Sequence, residues 1–316
     1  MKPLFLIFLG AILISATPPT EWSGRSGSNL KDAIAATARP RRLSPDPATF
    51  LRASGDIRCA FEPEATATQP VEVVSSRWWR FDSDTQRRDT IAADILNFVS
   101  GTGDVAALKS DYPPSTVTTP TFDNGHWRVG DVAVGNDVTT GWEPPAELRG
   151  DVARTVLYML TVYQSGVLDP WAWLIATDTP YPGLTAYGIA TLLGWHTADP
   201  VSETERRRND AAEQLQGNRN PFVDFPELTD YLWGEKAGDI YTPDSDVPLP
   251  LRSRYRLSDE RIDLYSPLVG EGAEWSVDGR PAGASSLKPR DLGIGLHELS
   301  YRLNDEFGRV IIEITQ

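Results

Sequence analysis

Residues 143–163 have the sequence EPPAELRGDVARTVLYMLTVY, in which two prolines precede a run with no further proline. Proline is tolerated before or at the first turn of a helix but breaks its interior, so a helix can begin after Pro145. The apolar side chains then recur three and four residues apart, which is the spacing of one helix face. The segment therefore predicts a helix from Ala146 to Tyr163.

Three more helices are predicted C-terminal to this one, over residues 184–197, 202–216 and 227–233. Ser202 and Glu205 have the spacing of a capping box, in which each side chain satisfies a backbone N–H of the first turn. On the N-terminal side, residues 71–74 predict a short strand and residues 90–98 a short helix.

The C-terminal part of the chain has a different character, with short strand-like runs separated by turn residues. These runs are residues 261–265, 274–277, 296–303 and 309–315. The pattern predicts a small all-β sandwich, and its motif layout resembles the Ig-like modules appended to secreted bacterial enzymes. We therefore expect an α+β protein: a mainly helical core followed by a β-sandwich.

The composition narrows the possible functions. The formal net charge of −14 over 316 residues excludes a uniformly basic protein that wraps nucleic acid, so a polyanion site must be a local patch. The single cysteine, Cys59, excludes an intrachain disulfide and a cysteine-based zinc site, and we expect it to be a small buried residue. The three histidines, His126, His196 and His297, limit both metal binding and general-base catalysis.

The N-terminus predicts export from the cell, to the periplasm, the cell surface or the medium. Lys2 is followed by an apolar run from Leu4 to Ile14 and then by Ser15 and Ala16, which is the pattern of a signal peptide. The run is shorter than the ~20 apolar residues that a transmembrane helix needs, so no membrane span is expected after cleavage. An uncleaved anchor is the alternative.

The domain organisation follows from these patterns and from local composition. Residues 17–56 are rich in Ser, Thr, Pro and Arg, and we expect them to form a poorly ordered linker. The expected segments are a signal peptide over residues 1–16, this linker, the main domain over 57–240, and the β-sandwich over 247–316.

Three segments, in their order and spacing, resemble the secreted bacterial endonuclease I family: WEPPAELRGDVAR (142–154), LGWHTADPVS (193–202) and QGNRNPFVD (216–224). The last of these is the most specific, and the resemblance extends over residues 70–233. The family is similar to periplasmic nucleases with a ββα-metal, or His-Me finger, active site. The resemblance implies a secreted nuclease that cuts DNA, and often RNA, without sequence specificity.

The resemblance also implies a mechanism. In such a site one divalent cation neutralises the scissile phosphate and the leaving 3′ oxygen, and a histidine takes a proton from the attacking water. The family carries the histidine in a Glu-His pair on a short strand. An asparagine in a later turn completes the metal shell, and an arginine supports the phosphate.

This chain departs from the family at those positions. The strand VEVV (71–74) is the best match for the Glu-His strand, so the base histidine falls on Glu72 and the acidic ligand on Val71. Another family histidine falls on Leu96, and the metal-binding asparagine falls on Ala106. Because no histidine precedes residue 126, a small shift of the alignment cannot supply the base.

Other side chains can replace the missing ones. Glu72 can act as the base or as a ligand, and Arg77 can support the phosphate, so these two are the catalytic candidates. Asp94 and Asp104 are the candidate ligands for Mg²⁺ or Ca²⁺, whose preferred donors are oxygens. The alternative is that Glu72 and Asp104 are exposed polar residues of a strand and a turn.

The candidate nucleic-acid contacts are arginines, because guanidinium groups match phosphate oxygens. They are Arg80, Arg149, Arg154, Arg207 and Arg219. Trp78 and Trp79 lie between Arg77 and Arg80 and can stack on bases. The alternative is that residues 206–208 form a solvated helix face paired with acidic neighbours, and that both tryptophans belong to the core.

The histidines have structural interpretations. His126 lies in the turn NGHW (124–127), and we expect it to be exposed, with recruitment as the base as the alternative. His196 falls at a helix C-terminus, where a cationic side chain is favourable, and His297 falls on a surface strand.

Two functions follow from these observations. The first is a secreted endonuclease I-like protein whose metal-dependent, nonspecific hydrolysis of DNA or RNA is weakened or lost at the unmatched positions. The alternative is a catalytically inactive module that binds nucleic acid or has a structural role at the cell surface.

Overall fold

The computed structural model describes residues 18–42, 46–56, 58–80, 85–164, 167–242, 254–264, 274–283, 286–303 and 306–316. The chain divides into two compact units, one over Thr20–Tyr241 and one that includes Thr242–Gln316. The predicted signal peptide, residues 1–16, lies outside the described residues. Among the described helices, none has both the length and the apolar character that crossing a membrane requires.

The first unit contains the helices α1 (Gly27–Thr37), α2 (Pro47–Ser54), α3 (Thr85–Ala92), α4 (Gly103–Lys109), α5 (Arg149–Val162), α6 (Ala186–Ala198), α7 (Glu203–Gln216), α8 (Pro221–Asp224) and α9 (Leu228–Trp233). Its strands are β1 (Gln69–Glu72), β2 (Trp79–Arg80), β3 (Phe98–Gly101), β4 (Thr119–Asp123), β5 (Arg128–Val134), β6 (Asp137–Glu143) and β7 (Val167–Leu168). The strands pair antiparallel as β1 with β3, β2 with β7, and β4-β5-β6 in a meander.

Helix α5 is the central element of this unit. Every residue from Val152 to Val162 is buried, and α1, α6 and α8 pack against the helix. A helix that is covered on all sides must be mostly apolar, and any charged residue within it needs a partner. The predicted helix over residues 146–163 is confirmed, with a 3₁₀ turn at Ala146–Leu148 leading into α5.

The capping box at the start of α7 is also confirmed. Glu205 donates its backbone N–H to Ser202 Oγ at 3.1 Å, and the Glu205 carboxylate accepts the Ser202 N–H at 3.0 Å. The two bonds satisfy N–H groups that have no partner within the helix.

The expectation of a poorly ordered segment over residues 17–56 is wrong for its described part, which forms α1 and α2. Leu30 and Ile34 lie one turn apart on α1 and are fully buried, as is Phe50 on α2. Asp46 caps α2 by accepting the N–H groups of the second and third residues after it. The polar residues that suggested disorder therefore begin helices whose apolar faces reach the core.

The short helix predicted over residues 90–98 is divided into three elements. Helix α3 ends at Ala92, a 3₁₀ turn occupies Ile95–Asn97, and β3 begins at Phe98. The Asp94 carboxylate accepts the N–H of Leu96 at 3.1 Å, which favours the start of a new turn at this position.

The second unit contains α10 (Pro289–Leu292) and the strands β8 (Arg254–Arg256), β9 (Ile262–Asp263), β10 (Glu274–Val277), β11 (Arg280–Pro281), β12 (Ser286–Leu287), β13 (Gly295–Leu303) and β14 (Glu306–Thr315). Strands β11-β10-β13-β14-β8 form one sheet, in which β14 and β8 run parallel, and β12 pairs with β9. Its core joins residues of both sheets, including Tyr255, Ile262, Leu299 and Ile312. The α+β class is confirmed, whereas the Ig-like assignment of this unit stays a prediction.

Candidate functional site

Two paired strands and a helix carry the positions at which the catalytic residues are expected. Strands β1 and β3 pair so that Glu72 lies opposite Phe98. At Gly101 a Cβ atom would lie 2.6 Å from Cγ2 of Val71, so this strand pair needs glycine there. Thr102 then caps α4 by accepting the N–H of Val105.

Helix α4 packs against β1, which brings the expected base and ligand positions onto neighbouring elements. Glu72 ends β1 and Ala106 lies in the middle of α4, and both are half-buried. The alanine side chain has no donor atom for a metal ion. The position at which the resemblance implies a metal-binding asparagine therefore offers no side-chain ligand.

Glu72 is held locally and lies near a buried cation. Its carboxylate accepts the N–H of Ser76 at 3.1 Å. Lys109, the last residue of α4, is buried, with Nζ 5.1 Å from the centroid of the Trp142 ring. Burial lowers the pKa of Lys109 to about 8, while the charges of Glu72 and Asp111 act to raise it.

Asp111 is the second carboxylate near this lysine. It accepts a hydrogen bond from Ser75 Oγ at 2.6 Å and pairs with Arg77 at 3.3 Å. The indole Nε1 of Trp78 donates to the Asp111 carbonyl at 2.7 Å. We refer to Glu72, Ser75, Arg77, Lys109 and Asp111 as the Glu72–Asp111 cluster. The cluster offers carboxylate oxygens and an amine but no imidazole.

Asp94 does not lie in this cluster. It is buried, and its carboxylate accepts hydrogen bonds from Tyr158 at 2.7 Å, Tyr163 at 2.8 Å and Gln216 at 2.8 Å, in addition to the Leu96 N–H. Burial raises the pKa of Asp94, and these hydrogen bonds oppose the rise. With both oxygens used inside the protein, Asp94 joins α5, α7 and the turn before β3, and it cannot serve as the predicted metal ligand.

The divalent cation implied by the resemblance does not fit the residues at this site. Asp104, the other candidate ligand, is exposed in the first turn of α4, where a carboxylate is favourable for the helix dipole. Within the described ranges, no three side chains of His, Cys, Asp or Glu come together in a way that could hold a metal ion. Of the two predicted ligands, Asp94 is buried among hydrogen bonds and Asp104 is exposed on α4, so the carboxylates expected to bind Mg²⁺ or Ca²⁺ do not converge.

Three of the predicted arginines remain at the surface. Arg77 pairs with Asp111, Arg80 donates to Asp169 at 2.8 Å, and Arg207 lies 3.8 Å from Glu203 one turn away. Exposed pairs of this kind contribute little to stability, about 0–1 kcal/mol each, so their guanidinium groups can exchange partners.

Arg154 has a structural role instead. Its side chain is fully buried, and Nε and Nη2 each donate to Glu205 at 2.6 Å, while Nη1 donates to the Asp199 carbonyl at 2.9 Å. Burial, followed by the charge of Glu205, raises the pKa of the neighbouring Asp151. A nucleic acid cannot reach Arg154, so this candidate contact is wrong.

Two other arginines are also engaged within the protein. Arg219 donates to both oxygens of Asp224, at 2.6 and 2.8 Å, and also reaches Asp210 and Glu213. Arg149 donates to Glu143 at 2.5 Å. The segment QGNRNPFVD thus supplies ion pairs and helix caps for α7 and α8.

The alternative of a solvated helix face over residues 206–208 is wrong for Arg208, which is buried and paired with Asp56. Base stacking by Trp78 and Trp79 is excluded because both rings are buried. The exposed tryptophans are instead Trp171 and Trp173, which were not among the predicted site residues. The signal that could have found them is the DPWAW run, in which an N-cap and a proline begin a short turn.

The three histidines are distant from Glu72 along the chain, and the contacts described for them are with other residues. His126 is exposed, and its backbone N–H donates to Asn124 Oδ1. His196 lies 3.3 Å from Arg154, and burial, then the arginine charge, lowers its pKa. His297, in the second unit, lies 2.8 Å from Asp278. Cys59 is buried, as expected.

Comparisons with known proteins agree with the resemblance. The chain matches the Endonuclease I family over residues 50–227, which is more than half of its length. It is 42% identical over 95 residues to an extracellular ribonuclease of Bacillus amyloliquefaciens, covering 29% of this chain and 32% of that protein. It is 36% identical over 115 residues to an extracellular ribonuclease of Bacillus subtilis (strain 168), covering 35% of this chain and 39% of that protein. These two matches span about a third of the relatives' length. The match to the family over more than half of the chain shows that the chain belongs to the endonuclease I family.

Proposed function

We propose that this chain is a secreted nucleic-acid-binding member of its family in which metal-dependent phosphodiester hydrolysis is strongly weakened or lost. Its ligand is DNA or RNA, as the family and the extracellular ribonucleases among its relatives suggest. Export is supported by the signal-peptide pattern over residues 1–16 and by the extracellular relatives. We further propose that residues 247–316 form an Ig-like module.

The observation that carries the proposal is the chemistry of the two key positions. In the resemblance to the family, Glu72 takes the position of the base histidine and Ala106 takes that of an amide ligand. A positioned general base contributes about 100- to 10,000-fold to a rate, and a metal ion supplies the charge that stabilises the leaving oxygen. Both contributions are affected at once: Glu72 is not an imidazole, and for the metal ion Ala106 has no donor and Asp94 is enclosed by hydrogen bonds.

The remaining side chains favour binding over cleavage. The guanidinium of Arg77 is exposed and can contact a phosphate. The charges of Glu72 and Asp111 act on the buried ammonium of Lys109, and Asp111 also pairs with Arg77, so the cluster balances its own charge without a metal ion. Should Glu72 still act as a base, it would take a proton from a water molecule at the end of β1.

The test is the nicking of supercoiled plasmid DNA, and the cutting of an RNA strand, by the full chain with Mg²⁺ or with Ca²⁺. We expect no cleavage above that seen with EDTA, even at high protein concentration. Glu72→Gln is the informative variant, and Asp137→Asn is a matched control that removes an exposed carboxylate at the start of β6. EDTA-sensitive cleavage by the wild type would refute the loss of activity, and its abolition by Glu72→Gln but not by Asp137→Asn would make Glu72 the base.

A further inference from the structure

Two tryptophan rings are exposed beside the Glu72–Asp111 cluster. Trp171 is 49% and Trp173 is 54% exposed, and both lie in the 3₁₀ turn Pro170–Leu174. Ala172, between them, is fully buried. With three residues per turn, the neighbours of an inward-facing residue point away from the core on either side. The fold thus directs both rings to solvent, although burying such rings would favour folding.

Strand pairing places an arginine next to this turn. Strand β2 pairs with β7, and Arg80 donates from Nε and Nη2 to Asp169 at 3.0 and 2.8 Å. Asp169 is the N-cap of the turn that carries the tryptophans. Arg80 is therefore tied to the first residue of the aromatic turn.

A second set of contacts links the turn to the cluster. The Trp171 ring packs edge-on against Tyr112, with centroids 5.5 Å apart. Tyr112 directly follows Asp111, which pairs with Arg77. We refer to Arg77, Arg80, Tyr112, Trp171 and Trp173 as the aromatic–arginine surface.

The charges of this surface are oriented outward. The Arg77 side chain is 82% exposed and its partner Asp111 is 26% exposed, while Arg80 is 54% exposed and its partner Asp169 is 23% exposed. Because each arginine side chain is more exposed than the side chain of its acidic partner, an approaching ligand meets cationic side chains beside aromatic rings. That combination is complementary to a phosphate backbone and its bases.

We propose that the aromatic–arginine surface binds single-stranded nucleic acid, with unpaired bases stacked on Trp171 and Trp173 and with Arg77 and Arg80 contacting the flanking phosphates. This rests on the proposed function for its nucleic-acid ligand and adds a preference for unpaired strands. Bases within a duplex already stack on one another, so their faces are not available to a side chain. The acidic chain thereby gains a local site for a polyanion.

The test is fluorescence anisotropy of labelled oligothymidylate, oligouridylate and a duplex of equal length with the full chain. EDTA is present, so that binding is measured whether or not the protein can cleave. We expect tighter binding of both single strands than of the duplex. Trp171→Ala and Trp173→Ala are each expected to weaken single-strand binding by about 5- to 150-fold, the range for loss of one stacked base.

Two comparisons separate stacking from general damage. Trp171→Phe/Trp173→Phe keeps aromatic faces and should retain most of the binding, whereas Val138→Ala, which trims a residue that is 63% exposed on β6, should bind as the wild type does. Arg77→Ala and Arg80→Ala should each reduce the slope of log K against log salt concentration by about 0.7.

The inference is overturned if the duplex binds as tightly as the single strands, if the alanine variants bind like Val138→Ala, or if the wild type binds neither single strand. Nuclease activity of the wild type in Mg²⁺ would refute the proposed loss of cleavage and leave this surface unaffected. The two proposals therefore fail separately.

Discussion

Replacing Arg154 by alanine tests whether the first family-like segment, WEPPAELRGDVAR (142–154), has a structural role. The guanidinium is fully buried on α5 and binds both oxygens of Glu205 at 2.6 Å. Removing one partner of a buried ion pair leaves the other charge without compensation, which costs about 3–5 kcal/mol. We expect Arg154→Ala to lower the free energy of unfolding of the helical unit by this amount. For a unit of this size the melting temperature should fall by about 6–20 °C.

The assay is thermal and urea unfolding followed by circular dichroism at a helix wavelength, because the helices lie mostly in the first unit. Arg207→Ala is the matched control, since its pair with Glu203 is exposed and should contribute at most about 0.5 kcal/mol. Arg154→Met/Glu205→Gln should recover part of the loss, because the buried carboxylate charge is removed together with its partner.

The loss should also depend on pH with a definite sign. Burial raises the pKa of Asp151 and the charge of Arg154 opposes that rise, so Arg154→Ala should raise this pKa further. The protonated form of Asp151 is then favoured in the folded state, so the deficit of the variant should be smaller near pH 4 than at pH 7. A deficit below about 1 kcal/mol at pH 7, or one that does not change with pH, would refute this account of the ion pair.

The other predictions concern the Glu72–Asp111 cluster. Burial lowers the pKa of Lys109 from 10.5 to about 8, so the unfolded state binds more protons than the folded state between these two pH values. The stability of the wild type relative to Lys109→Met should therefore rise by about 3 kcal/mol from pH 8 to pH 10.5. A stability difference that stays constant in urea titrations across this range would contradict the prediction. The double variant Glu72→His/Ala106→Asn, with or without Val71→Glu, introduces an imidazole and an amide. EDTA-sensitive plasmid nicking by this variant should exceed that of the wild type by at least about tenfold. If the variant melts at the wild-type temperature and shows no gain, the scaffold is not a retained nuclease site.

Local patterns predicted most of the helical unit because their signals lie within a few residues. The apolar spacing of residues 146–163, the Ser202–Glu205 capping box and the breaks at prolines all act over one or two helical turns. Residues 17–56 were misjudged for the same reason, because their composition is polar while the burial of Leu30 and Ile34 depends on contacts with distant parts of the chain.

The candidate site was predicted less completely, since the role of a polar side chain depends on its partners. Asp94 and Arg154 occur in segments that match the family, yet both are enclosed by side chains 51–122 residues away along the chain. The cluster of Lys109 with Glu72 and Asp111, and the tie between Arg80 and Asp169, likewise arise from packing of separate elements.

The amino-acid sequence alone determined the family, the main helices, the strand-rich character of the C-terminal part and the absence of any histidine before residue 126, because these are properties of residue identity and short-range spacing. Tertiary structure alone decided which charged groups are buried pairs and which are free to meet a ligand. The reason is that the cost of desolvating a charge, and the partners that offset it, depend on which elements the fold brings together. The partners of Arg154 offset that cost, so this arginine lies in the core. Arg77 and Arg80 remain at the surface beside Trp171 and Trp173.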